Sequence, residues 1–188
     1  VVTAALVTIT GPIASGKNTV AALLADQCSQ DGLTVVIADV DDVAGMVSSP
    51  GAAPSGLWFA AHRAPGALVA EWVLSDVDVV ISVGPFYTQA DQDALYGRLP
   101  ASAQPLRVLI DAPLAVTWQR VRADENRRLS RERDFHTAAH ARFRSLMPTI
   151  PSDLVFDSGE TSAGDIAAAI HDAIELEPSS STFPSPSL

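Results

Sequence analysis

The chain reads as an α/β protein: one parallel sheet with helices covering both faces. Three observations predict this. Apolar runs of strand length recur at 4–10, 33–38, 77–83, 106–111 and 154–157. They are apolar almost end to end, as strands buried on both faces must be. Segments with helical spacing separate them, which is the alternation that a parallel sheet requires.

Each element follows from its residues. Ala4–Thr10 is a first core strand, and Gly11–Lys17 is a loop. Asn18–Gln30 carries Val20, Leu23 and Leu24 at helical spacing. Leu33–Ala38 is a second strand, ending at Asp39, Asp41 and Asp42. Ser48–Gly56 is a loop by its Pro, Gly and Ser content. Leu57–Leu74 is a helix that Pro65 and Gly66 should kink or begin. Val77–Val83 is a third strand closed by Gly84 and Pro85, and Thr88–Gly97 is helical. Leu106–Asp111 is a fourth strand and Leu114–Arg122 opens a helix. A polar helix spans roughly Asp134–Leu146, and Leu154–Asp157 is a short fifth strand. Ser162–Ile174 is a last helix with Ser162 as N-cap. The Pro/Ser-rich tail, 176–188, is expected to be disordered. The 188 residues, 47% of them hydrophobic, suffice for one core and not for two. One domain is therefore expected over 1–175.

Composition excludes several function classes. The formal net charge is −10, which argues against nucleic acid and anionic membranes as broad partners. No apolar run approaches the roughly 20 residues of a membrane span. The opening strand leads straight into a glycine loop and does not read as a signal peptide. The single cysteine, Cys28, is expected as an interior thiol of a cytoplasmic protein. The positive charge is concentrated: Lys17 is the only lysine, and eight of the eleven arginines fall between Arg120 and Arg144. An acidic protein that binds a polyanion must gather its cations in this way.

Gly11-Pro-Ile-Ala-Ser-Gly-Lys17 stands between a predicted strand and a predicted helix, the context in which a G-x4-G-K motif is specific. Glycines let backbone N–H groups wrap a phosphate, the helix N-terminus adds partial positive charge, and the lysine reaches the β- and γ-phosphates. Gly11, Ala14, Ser15, Gly16, Lys17, Asn18 and Thr19 are thus candidate ATP contacts. Asn18 stands where a Mg2+-ligating Ser or Thr is usual; its amide oxygen can still bind a hard cation. Asp39 and Asp41, two apart, would point the same way in extended chain. Such a pair can supply a carboxylate near the metal, expected of Asp39 beside Asn18, and a base or hydrogen-bond acceptor for an attacking hydroxyl, expected of Asp41. The third strand ends without a carboxylate, which favours a metabolite-kinase arrangement over a mechanical ATPase.

The arginine-rich stretch reads as a lid, about 120–136, whose guanidinium groups close over phosphates. Arg120 and Arg127 lead, with Arg131 also expected near the acceptor. His136 and His140 are expected as two exposed helix residues. Trp58 and Arg63, with Gly84, lie where an acceptor pocket is expected between the second and third strands.

These residues resemble the nucleoside-monophosphate-kinase-like branch of P-loop proteins, to which shikimate kinase, gluconate kinase and chloramphenicol phosphotransferase belong. The pattern is most similar to uncharacterised bacterial AAA-type kinase-like ATPases of that branch. The resemblance rests on GPIASGKNT, the Asp39-x-Asp41 pair, Gly84 and the arginine run ending in LSRERDF, and covers about residues 4 to 175. It implies a three-layer P-loop NTPase fold with a five-stranded parallel sheet of order 2-3-1-4-5 and a helical lid. It also implies that Asp157–Thr161 borders the adenine. The function implied is transfer of the γ-phosphoryl group of ATP, with Mg2+, to a hydroxyl of an unidentified small molecule. An antibiotic-modifying phosphotransferase, a nucleoside-monophosphate kinase and a non-catalytic nucleotide-binding regulator stand as alternatives, and the assembly is a monomer or homodimer.

Overall fold

The structure is a computed structural model that describes residues 3–46, 55–125 and 129–174, with side chains described except at 55–62 and 129. Five parallel strands form one sheet: β1 (Ala5–Thr10), β2 (Val35–Asp39), β3 (Val79–Val83), β4 (Leu106–Asp111) and β5 (Leu154–Asp157). Their order is β2-β3-β1-β4-β5, as the resemblance implied. β1 is central, pairing Ala5 with Val79 of β3 and Val7 with Leu106 of β4. The helices are α1 (Lys17–Gln30), α2 (Val40–Gly45), α3 (Ser55–Val73), α4 (Gln89–Tyr96), α5 (Leu114–Ala123), α6 (Arg133–Leu146) and α7 (Ala163–Ala173). The tail and Arg127 lie outside the described residues, as does the backbone of 47–54.

Alternation along the strands fills two cores. Val7 and Ile9 of β1 face Val20 and Leu24 of α1 and Ile166 and Ile170 of α7. Leu6 points the other way, onto Val69 and Val73 of α3 and Leu95 of α4. A third cluster sets Phe143 of α6 on Leu109 and Ile150. Each fully buried aliphatic or aromatic side chain here contributes about 1.5–3 kcal/mol. Cys28 is buried in the first core, as expected of an interior thiol.

Three expectations are corrected. α3 does not begin at Pro65: it starts at Ser55 and runs through the proline. Gly66 is needed for packing, because a Cβ there would meet the Ala94 carbonyl oxygen of α4 at 2.1 Å. The chain after β2 is not extended, since α2 begins at Val40 and Asp39 is its N-cap. Finally, His136 and His140 are buried, at 1% and 7% exposure. With Phe143 they form one stripe of α6 at i, i+4 and i+7, the spacing that packs inward, while Arg142 and Arg144 stay outside.

Candidate active site

The carboxyl ends of β1, β2 and β3 lead into the lysine loop, Asp39–Asp42 and Gly84, at the rim where parallel α/β sheets bind ligands. The loop from β1 to α1 is bent by three residues at positive φ: Gly11 at 153°, Ala14 at 60° and Gly16 at 96°. Gly11 lies against β4, and a Cβ would stand 2.0 Å from the Ile110 carbonyl oxygen. Ala14 holds a left-handed conformation costly for a residue with a Cβ, of a kind that clusters at functional sites. Gly16 is the N-cap of α1, which has no capping side chain and no acid in its first turn. By contrast α2, α4 and α7 are capped by Asp39, Thr88 and Ser162. The first amides of α1 therefore lack the side-chain acceptor that those helices possess, which suits an anion.

The loop's carbonyls are taken from within. Lys17 Nζ donates to the Gly11 and Pro12 oxygens, at 2.9 Å each. The Tyr87 hydroxyl donates to the same Gly11 oxygen at 2.7 Å. Arg120 Nη1 donates to the oxygens of Ala14 (3.3 Å) and Ser15 (3.2 Å) and to Ser158 Oγ (2.9 Å). Its Nη2 donates to the Ser158 carbonyl at 2.7 Å, and Ser158 Oγ donates back to Ser15 at 2.6 Å. Arg120 thus sits in α5 and braces the loop against the turn after β5; residues 120–123 are helix and not a free flap. Ser15 is fully buried, its Oγ without a hydrogen-bond partner among the described residues.

Asn18 and Asp39 meet. Asn18 Nδ2 donates to Asp39 Oδ2 at 2.6 Å, and Asp39 Oδ1 accepts the Asp41 N–H at 2.8 Å. Asp39 is pushed above the usual carboxylate range by burial, and further by the charges of Asp41 and Asp42, while the bonds from Asp41 N–H and Asn18 oppose this. Asp41 is exposed in the first turn of α2 and does not share the direction expected of an extended pair. Thr19 is exposed on α1.

Gly84 is buried at the end of β3, and a Cβ would stand 2.5 Å from Val40 Cγ2, so its missing side chain makes room for Val40. Arg131 is exposed at the end of a 3-10 turn, 129–131, between α5 and α6. Arg63 lines an open groove of about 400 Å3 with Ala90, Asp93, Ala94, Gly97 and Arg98. Gly84 thus meets the Asp39–Asp42 segment at Val40, whereas the groove at Arg63 is lined by neither that segment nor the lysine loop. The side chain of Trp58 lies outside the described ones.

Several residues at this rim were not foreseen. Tyr87 packs edge-on against Phe143 at 5.3 Å between ring centroids, and burial pushes its phenol well up. Buried Asp111, at the end of β4, accepts from Ala112 N–H and from Arg144 of α6. His140 Nε2 bonds the Ala112 carbonyl at 3.0 Å, and because a carbonyl only accepts, that nitrogen carries the proton. Thr117 Oγ1 donates to Leu114 and so accepts from His136 Nε2 at 2.9 Å. Asp111 and the two histidines fasten α6 to the β4–α5 corner. A buried carboxylate leaves no mark in a single sequence and a buried histidine shows only through its helical spacing; Tyr87 had only its place after a glycine at a strand end.

A parallel sheet of order 2-3-1-4-5 with a glycine loop and lysine after its central strand is the P-loop kinase fold. Among solved structures, the chain is similar to the shikimate kinase of Acinetobacter baumannii, solved with shikimate: 18% identity, TM-score 0.57, covering 92% of this chain and 93% of that one. It is similar to the Mycobacterium tuberculosis APS kinase, solved with AMPPNP and APS, at 16% identity and TM-score 0.61, covering 90% and 96%. A sugar kinase from Janibacter shares 18% identity at TM-score 0.59, over 90% and 95%. At these identities the likeness is one of fold. No family model and no curated protein matches the sequence. No helix among the described residues is long and apolar enough to cross a membrane.

Proposed function

We propose that the chain is an ATP-dependent kinase that moves the γ-phosphoryl group to a hydroxyl of a small molecule. The observation that carries this reading is the β1–α1 loop. Its carbonyls at Gly11, Pro12, Ala14 and Ser15 are engaged by Lys17, Tyr87, Arg120 and Ser158. A loop whose negative ends are satisfied internally offers a ligand its N–H groups and the only lysine of the chain. In this reading Lys17 holds the β- and γ-phosphates and Arg120 keeps the loop in shape. Arg127 and Arg131, between α5 and α6, stabilise the transferred charge. The acceptor oxygen bonds to the γ-phosphorus, the bond to the β,γ-bridging oxygen breaks, and Asp41 takes the hydroxyl proton.

The donor set suits Mg2+. Asn18 and Asp39 stand side by side, and once the Asn18 amide turns its oxygen in place of the Nδ2 that now bonds Asp39, the two would offer hard oxygens; the acid-crowded Asp39 would gain from a divalent cation. Among the described residues no group of three or more His, Cys, Asp or Glu could hold a metal. Two protein ligands, with water and phosphate completing the shell, is the usual manner of Mg2+. Bound there, the ion supplies neutralisation of phosphate charge.

Calorimetry with ATP, with and without Mg2+, and labelled-ATP transfer to a panel of metabolites and antibiotics test the reading. Binding at or below millimolar nucleotide, with transfer to one acceptor, is the expected result; absence of both removes it. A second reading, a nucleotide-binding regulator without turnover, is favoured by the Asn18–Asp39 bond, which occupies both metal candidates. It requires normal ATP affinity without turnover, and activity restored in Asn18→Ser.

A further inference from the structure

We infer that Tyr87 is a positioning residue that lets Lys17 leave the loop for the triphosphate. The inference rests on the kinase reading and deepens it. Gly11 is buried, and its carbonyl oxygen accepts from two side chains, Lys17 Nζ at 2.9 Å and the Tyr87 hydroxyl at 2.7 Å. A lysine that moves to phosphate gives up its bonds to Gly11 and Pro12. The Pro12 oxygen keeps the Ser15 N–H, at 3.2 Å. Among the described residues, the Gly11 oxygen keeps only Tyr87. Without that hydroxyl, lysine departure would strand a buried carbonyl, which is costly.

Tyr87 is built to stay. Its ring is fixed edge-on against Phe143, and the neighbouring Phe86 N–H is tied to Thr10 Oγ1 at 3.1 Å. The hydroxyl must be the donor, because its partner is a carbonyl. The phenol therefore holds Gly11 from a support independent of the lysine: the loop after β3, anchored on the end of β1.

The single lysine makes the test clean, since lysine-specific 15N labelling yields one side-chain signal. In the wild type, saturating ATP moves that signal to a bound position. Tyr87→Phe keeps the ring and removes the hydroxyl. It should weaken ATP binding about tenfold, the effect of one buried hydrogen bond lost on binding. At saturation its lysine signal should stop part way, drawn back to Gly11. Unchanged affinity overturns the inference. So does weaker binding with the lysine signal at the wild-type bound position, which is what a merely structural residue would give. Should Y87F fail to melt cooperatively, the wild type decides: the Tyr87 hydroxyl proton must stay protected from exchange when ATP binds, and its loss overturns the inference. A wild type that binds no ATP is seen before any variant is compared and removes the kinase reading itself.

Discussion

At the scale of single residues, the site is governed by what fits beside backbone. Gly11 has no room for a methyl group, with a carbonyl oxygen 2.0 Å from where its Cβ would lie. Gly11→Ala should therefore destabilise the fold by at least about 2 kcal/mol, as substitutions that force strain do; thermal melting would check this, and an unchanged melting temperature would contradict the packing described. Lys17→Met should lower affinity for ATP by about 1.5–3 kcal/mol, the range for hydrogen bonds to a charged group, with little change in melting temperature. The lysine and its glycines were legible in sequence because spacing alone carries them. Arg120 was legible as important and misread as mobile: apart from Ser158 Oγ its partners are backbone atoms, the carbonyls of residues 14, 15 and 158, which no sequence pattern displays.

At the scale of elements, strand positions were legible almost to the residue, because β1, β3, β4 and β5 are continuous apolar runs bounded by turn residues. α2 was not. Its six residues, Val40–Gly45, are too few to show a period, and the acids that cap and open it read equally well as an extended pair. The buried histidines were missed for a related reason: composition marks α6 as polar, while the stripe of His136, His140 and Phe143 shows only when period outweighs residue type. α4 offers a sharper check. Thr88 and Asp91 form a reciprocal capping box at its start, and Thr88→Ala should cost about 1 kcal/mol in chemical denaturation. Gly66→Val should cost more, since it pushes α3 off the Ala94 carbonyl.

For the whole molecule, pH acts on two carboxylates in opposite senses. Asp39 holds its proton more tightly folded than unfolded, chiefly through burial. Its contribution is therefore present below the ordinary carboxylate pKa and is lost as pH rises through the folded value. Asp39→Asn should remove that loss, raising stability at neutral pH in the absence of metal and abolishing any stabilisation by Mg2+. Asp153 is lowered, first by the Arg107 side-chain bond, so its contribution is present above the ordinary pKa and lost as pH falls through the folded value. That pair is over a third exposed and worth at most about 1 kcal/mol. Denaturation midpoints across pH 3–8 for wild type and Asp39→Asn would separate the two slopes. Cys28, buried and with its thiol pushed up by burial, should react with a thiol reagent only as fast as the molecule opens.

The central place of β1 has a consequence for assembly. Its two neighbours arrive some 70 and 100 residues later, at Val79 and Leu106, and both are needed to shape the turn that follows it. Thr10 is tied to Phe86 beyond β3, and Gly11 rests on Ile110 of β4. In the kinase reading, a half-formed sheet would therefore present no shaped loop to a triphosphate. Nucleotide capture during refolding should lag behind helix formation and coincide with the last, long-range closure of the sheet.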